Sequence, residues 1–212
     1  MPRRMPPLGS RFVATSGNAI ALSTTAEAIR IEPSYKNIKS KLTILRVESL
    51  YEMSFLRLFA SWEVFIEDSV LHMLCGFRSG LYAPRFQAAV ARYATLEDAR
   101  RALYGAQDYL LWYDPARIQT RCATYLLGSP QEAVAASNSA RLGWFASIRH
   151  RIAHDSEDAR AKFDTASMNL AGHRFPRSRP GKLLRSRDAA AGTTFLESIG
   201  TELSNLAIQI AP

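Results

Sequence analysis

Residues 41–77 contain no proline, and no glycine before Gly76. Apolar residues recur there at Leu56, Phe59, Ile66, Val70 and Met73, the three-and-four alternation of a helix stripe, with a second stripe at Phe55, Leu58, Trp62 and Phe65 beside it. A segment apolar around so much of its circumference is expected at the centre of a helical bundle. Gly76, Gly80 and Pro84 then break the pattern. Thr95 offers a cap to a helix through Leu103 with Glu97 and Asp98 in its first turn, and Asp114-Pro115 starts another over 115–127 that Gly128-Ser129-Pro130 closes. Residues 131–153 read as helix, softened at Asn138 and Gly143, with Phe145, Ile148 and Ile152 facing inward. Asp155 or Ser156 caps a further helix to about Leu170, and Phe195, Ile199, Leu203, Leu206 and Ile210 form the seam of a last one. The first 20 residues, rich in Pro, Gly, Ser and Thr, show no sustained period, which predicts a flexible tail over 1–20 ahead of one helical domain over 21–212. The pattern predicts an all-α bundle of long helices with a small inserted helical region and no internal repeat; only residues 85–93 imitate a strand.

Composition narrows this further. With 212 residues, 47% hydrophobic and 22% charged, the chain can bury a full-sized core, which excludes collagen-like, coiled-coil-only and wholly disordered proteins. No apolar run approaches the roughly 18–20 residues that span a bilayer, and Met1-Pro2-Arg3-Arg4-Met5-Pro6-Pro7 is followed by no apolar stretch of secretory type. A soluble cytoplasmic protein without a membrane partner is expected. Cys75 and Cys122, far apart inside helix-like stretches, suit buried thiols in a reducing compartment.

The net charge of +8 is unevenly placed. The first 26 residues carry +3 from Arg3, Arg4 and Arg11, and residues 173–187 carry +6 from Arg174, Arg177, Arg179, Lys182, Arg185 and Arg187, leaving the remainder nearly neutral. A basic, proline-containing loop of that kind is the expected form of an arm that grips a phosphate backbone, so its six cations are candidate RNA contacts. A solvated loop that maintains solubility fits the same charges.

Most familiar chemistry is excluded by spacing. Gly181-Lys182 lacks the upstream glycine and the following Ser or Thr of a phosphate loop, and no Gly-x-Ser-x-Gly elbow presents a serine nucleophile. His72-x-x-Cys75 is the nearest approach to a metal motif, but Cys122 is remote and no Glu-x-x-His accompanies Glu63 and Glu67; neither a metal nor another cofactor is expected. What stands out is Ser147-Ile148-Arg149-His150-Arg151-Ile152-Ala153-His154-Asp155, which gathers two of the four histidines and two arginines within six residues. Arginine offers a permanently charged fork to phosphate oxygens, and histidine moves protons near neutral pH. Together they suffice for RNA cleavage without a metal: histidine assists attack by the ribose 2′-OH or protonates the leaving 5′ oxygen, and arginine stabilises the charged transition state. On a straight helix Arg149 and His154 point about 140° apart, so joint action requires unwinding near Ala153 or a two-fold dimer that pools two copies. His150 and His154 share a face. A purely structural role fits too, with Arg149 and Arg151 paired to Glu63 or Asp155 and His154 closing its helix.

The run Arg149-His150-Arg151-Ile152-Ala153-His154 resembles the signature of the HEPN superfamily (higher eukaryotes and prokaryotes nucleotide-binding domain): Arg, four to six residues, then His, often with Asn, Asp or His after the Arg. Asp155-Ser156, the phased helix after it, and Phe59-Ala60-Ser61-Trp62-Glu63-Val64-Phe65-Ile66-Glu67 are similar to the prokaryotic RiboL-PSP-type, defence-associated branch. The likeness covers roughly residues 41–170, and only the Arg-to-His motif is specific. It implies an all-α, metal-independent endoribonuclease that works as a homodimer in toxin–antitoxin or phage-defence systems, restrained by an antitoxin or another partner. Arg149 would hold the scissile phosphate, His154 would be the principal acid or base and His150 would assist. Glu63, Arg151 and Asp155 would support them, Glu63 by orienting Arg149 or His154. Arg151 and the basic loop depart from the family pattern. Two other readings stand beside this one: a non-catalytic RNA- or nucleotide-binding adaptor of the same fold, and a structural helical partner whose basic arm meets an acidic protein.

Overall fold

The computed structural model describes residues 3–80 and 82–212, and of residues 36 and 38 the backbone alone. Its α-helices are α1 (Leu8–Ile31), α2 (Lys36–Lys39), α3 (Ile44–Leu74), α4 (Leu96–Tyr104), α5 (Pro115–Tyr125), α6 (Pro130–Ser137), α7 (Ser139–Ala153), α8 (Glu157–Ala171), α9 (Pro180–Arg185) and α10 (Phe195–Ile210), with 3-10 turns at Pro33–Tyr35 and Pro176–Ser178. Among the described residues β-pairing is confined to isolated bridges, so the chain is an all-α bundle. No helix of the described residues is long and apolar enough to cross a membrane.

The local signals act as side-chain chemistry requires. Thr95 accepts from the Asp98 amide at the start of α4, Asp114 accepts from the Ala116 and Arg117 amides ahead of Pro115, and Ser129 and Ser156 open α6 and α8 in the same way. Asn138 separates α6 from α7, whereas Gly143 is continuous helix.

The first 20 residues depart from expectation. Residues 1 and 2 of the expected tail lie outside the described residues, but from Leu8 to Ile31 the chain is helical. Met5, Leu8, Phe12, Ser16, Ala19, Ser23 and Ala26 are all buried, at spacings of three or four. The period is present in this stretch; serine and alanine hold four of its seven positions, so hydrophobicity does not reveal it. Small residues there let other helices approach closely.

The chain divides into two compact units. The first comprises Met1–Val13, Trp62–Gly143 and Ser204–Pro212. Here the Phe12 ring meets Trp62 edge-on at 5.7 Å and Phe65 at 5.6 Å, while the Gly9 amide donates to the Ala211 carbonyl at 3.1 Å. A Cβ at Gly9 would run into that carbonyl, which explains glycine inside a helix. The small helices α4, α5 and α6 belong to this unit. A buried hydrogen bond of 2.9 Å from Gln131 to Ser69 ties α6 to α3.

The second unit comprises Ala14–Ser61 and Trp144–Leu203. Its core is Tyr51, Phe55, Leu58, Phe59, Phe145, Ile148, Phe163, Leu183, Leu184, Leu196, Ile199 and Leu203, each at most 1% exposed. Burying each of the larger apolar side chains contributes about 1.5–3 kcal/mol before chain entropy opposes it. Gly200 of α10 lies against Ser16 and Ile20 of α1, a contact that leaves no room for a Cβ.

Candidate functional site

The Arg-to-His motif occupies the C-terminal end of α7 in the second unit. Ile148 is fully buried and fixes the helix phase; Arg149, His150, Arg151 and Ile152 are partly exposed, and His154 is exposed. The α-helix ends at Ala153, with the His154 amide still bonded to the His150 carbonyl at 2.9 Å. The helix thus ends at the residue where unwinding was one of the two ways, beside a two-fold dimer, to aim Arg149 and His154 at one phosphate, while His154 itself keeps its helical hydrogen bond.

Three contacts of Arg151 hold this turn. Its Nε donates to the Ser178 carbonyl at 3.2 Å, its Nη1 donates to the His154 carbonyl at 3.2 Å, and Nη1 lies 3.0 Å from the Asp155 carboxylate. Asp155 is gripped again by Arg160, at 2.7 and 3.0 Å. The Arg160 guanidinium foremost, with Arg151 adding to it, holds the Asp155 carboxyl below the usual aspartate range. Arg151 is thus the residue that fixes the turn. Its pairing with Asp155 is one of the structural contacts the sequence left open.

The turn brings the two imidazoles together. The His150 and His154 rings stand 4.7 Å apart, tilted by 51°, and His150 Nε2 lies 3.8 Å from the Asp158 carboxylate. The His150 pKa is lowered from its ordinary 6.5, first by partial burial, then by His154 and Lys162, with Asp158 pulling the other way. At neutral pH His150 is biased toward the free base, able to accept a proton.

Glu63 lies in the first unit, nearly buried on α3, where its carboxylate accepts a hydrogen bond from the Tyr109 hydroxyl. Glu67, one turn on, accepts from Tyr104 at 2.8 Å and pairs with Arg100 at 3.2 Å. Nothing in the sequence marked these tyrosines as carboxylate partners.

The segment 173–187 is not the loose arm the sequence suggested. It forms the 3-10 turn Pro176–Ser178 and α9, with Phe175, Leu183 and Leu184 buried. Arg179 pairs with Glu48, Arg185 with Glu27, and the Gly181 amide donates to Glu52 at 2.8 Å. A Cβ at Gly181 would collide with the Glu48 backbone, so α9 sits directly against α3. Two of the six candidate RNA contacts are therefore anchors, while Arg174, Arg177, Lys182 and Arg187 remain exposed. Ser178 joins this segment to the motif: its carbonyl receives Arg151, and its hydroxyl donates to Asp164 at 2.7 Å.

Other nucleophiles and ligands offer little. Cys75 and Cys122 are buried free thiols; burial pushes the Cys122 pKa up to about 12 and raises that of Cys75. His72 Nδ1 meets the Asp68 carbonyl at 2.7 Å and its ring packs edge-on against Phe77. Among the described residues no group of three or more His, Cys, Asp or Glu is placed to hold a metal ion. No family model, curated protein or solved structure matches this chain.

Proposed function

We propose that this chain is a metal-independent endoribonuclease of HEPN type, acting in the cytoplasm as a toxin or phage-defence effector, with Arg149, His150 and His154 as its reacting side chains. The observation that carries the reading is the pair of imidazoles 4.7 Å apart at the end of α7, on a turn that Arg151 holds through three contacts. Two adjacent imidazoles beside an arginine are the groups that 2′-OH attack needs. His150, biased toward its free base, takes the proton of the ribose 2′-OH as that oxygen bonds to phosphorus. The bond from phosphorus to the 5′ oxygen breaks as His154, in the role of general acid, gives a proton to that leaving oxygen. Arg149 balances the charge on the non-bridging oxygens. The products are a 2′,3′-cyclic phosphate and a 5′-hydroxyl, and solvent resets the two protonation states. A homodimer would set two such turns across one cleft, supplying a second arginine and histidine pair to each phosphate. An effector of this kind calls for a restraining partner, such as an antitoxin.

The test is cleavage of a mixed RNA pool in excess EDTA by the native chain, Arg149→Ala and His154→Ala, with product ends identified. Cyclic-phosphate ends are expected from the native chain, falling about 10²–10⁴-fold in either variant. If all three proteins are equally inert yet bind RNA with a steep salt dependence, the non-catalytic adaptor reading replaces this one.

A further inference from the structure

The far end of α8 from the motif carries a cavity of about 270 Å³, lined among others by Leu170, His173, Ser186, Arg187, Asp188 and Phe195. That volume lies just below the roughly 300–1,000 Å³ range of small-molecule sites, so it admits one compact ring system at most. Its chemistry is divided. Buried Phe195 and partly buried Leu170 supply apolar surface, while Ser186, Arg187 and Asp188 bring polar groups. The cavity wall is preformed: Asp188 accepts from the amides of Ala190 and Ala191 and from the Ser198 hydroxyl, and its own amide donates to the Thr193 carbonyl. The His173 ring lies 4.5 Å from Phe175, tilted by 42°, and sets Nδ1 against the Ala171 carbonyl at 3.0 Å, which fixes that nitrogen as the donor and leaves Nε2 as an acceptor in the neutral ring.

We propose that this cavity is a nucleotide subsite: it takes one base of single-stranded RNA between its apolar walls, with Arg187 on the adjoining phosphate. The inference rests on the ribonuclease reading for its substrate and adds a register to it. The fifteen residues of α8 span about 22 Å, with the histidine turn before its first residue and the cavity at its last turn. At about 3.4 Å per stacked nucleotide that is some six nucleotides of a single strand. From the cavity the chain returns through exposed Arg174 and Arg177 to Ser178, whose carbonyl is held by Arg151 of the motif. The exposed cations of this segment thus run from the base subsite back to the scissile phosphate. A basic groove that tracks the backbone, combined with an apolar seat for a base, is a general way of binding single strands.

The experiment uses the full chain and follows the ring signals of its four histidines by NMR during titration with each nucleoside 5′-monophosphate and, separately, with inorganic phosphate. The His173 signal is expected to move saturably with at least one nucleotide and not with inorganic phosphate at equal concentration. Arg187→Gln should weaken that binding about tenfold, the effect of losing one charge-assisted hydrogen bond. Ala189→Phe, which fills the cavity from an exposed wall position, should abolish it with the other histidine signals unmoved. Ala189→Phe should also slow cleavage of RNA of nine or more nucleotides while leaving that of a trinucleotide unchanged. Equal response to inorganic phosphate, or a His173 signal indifferent to every nucleotide, overturns the subsite even if RNA is cut. A saturable nucleotide response without any cleavage keeps the subsite and removes the ribonuclease.

Discussion

Residues 149–154 and 174–187 of the second unit are both dense in basic side chains, and the fold uses them differently. In the longer stretch, Arg179 and Arg185 reach carboxylates on other helices, Glu48 of α3 and Glu27 of α1, while Leu183 and Leu184 between them enter the core. In the shorter one, the acids that pair with Arg151 and His150 are Asp155 and Asp158, a few residues along the chain and exposed. The first arrangement ties a segment down; the second shapes a turn and leaves the imidazoles at the surface. What decides between anchoring and presenting is therefore where the carboxylates and apolar neighbours lie, not how many cations a stretch contains. Density of positive charge alone does not separate the two.

The sharpest test removes one basic side chain from each stretch. Arg179→Ala would leave Glu48, only 5% exposed, as a buried charge without its partner, and breaking such a pair costs about 3 kcal/mol or more. His154→Ala removes an exposed side chain and should change stability by no more than about 0.5 kcal/mol while stopping RNA cleavage. Urea unfolding of the two variants measures both values; equal losses would erase the distinction.

A smaller effect separates α9's two acidic contacts on α3. Burial raises the Glu52 pKa above its ordinary 4.5, against the opposing hydrogen bond from the Gly181 amide. The folded state then holds that proton more tightly than the unfolded state does. Stability falls as pH climbs from the ordinary value through the raised one, and above it the full cost of the buried charge remains. Glu52→Gln keeps an oxygen for the Gly181 amide and carries no charge. It should match the native chain below pH 4.5 and exceed it modestly at neutral pH. A variant less stable than the native chain at neutral pH would show instead that the ionised carboxylate is what holds α9.

How far the sequence reveals this arrangement follows from the same physics. Large apolar residues at helical spacing mark α3 and α10, and oxygen-bearing caps before proline or acidic first turns mark α4, α5 and α8; each signal is local and survives in the fold. Helix α1 is hidden because its buried stripe passes through Ser16, Ala19 and Ser23, residues whose value is their small size against a neighbour the sequence does not identify. The anchoring of 173–187 is hidden for a related reason, since Glu48 and Arg179 lie 131 positions apart in the chain. The motif's position at a helix end is legible from Ile148 and Ser156. The link from Arg151 to Ser178 is not, because it depends on how α9 returns to α7.

The least of the expected effects tests whether the two histidines act as a pair. His154 is the second cause of the lowered His150 pKa, after partial burial, so two adjacent rings that share a surface should resist carrying two protons. In His154→Ala the His150 pKa should therefore rise toward its ordinary 6.5, with Lys162 and Arg149 still lowering it. In Asp158→Asn it should fall further, since that carboxylate is the one neighbour that favours the imidazolium. An NMR titration of the His150 ring reads both shifts. A His150 pKa that ignores the loss of His154 would mean that the rings, although 4.7 Å apart, do not share a proton balance, and the division into a base and an acid would then have to come from the second copy of the turn in a dimer.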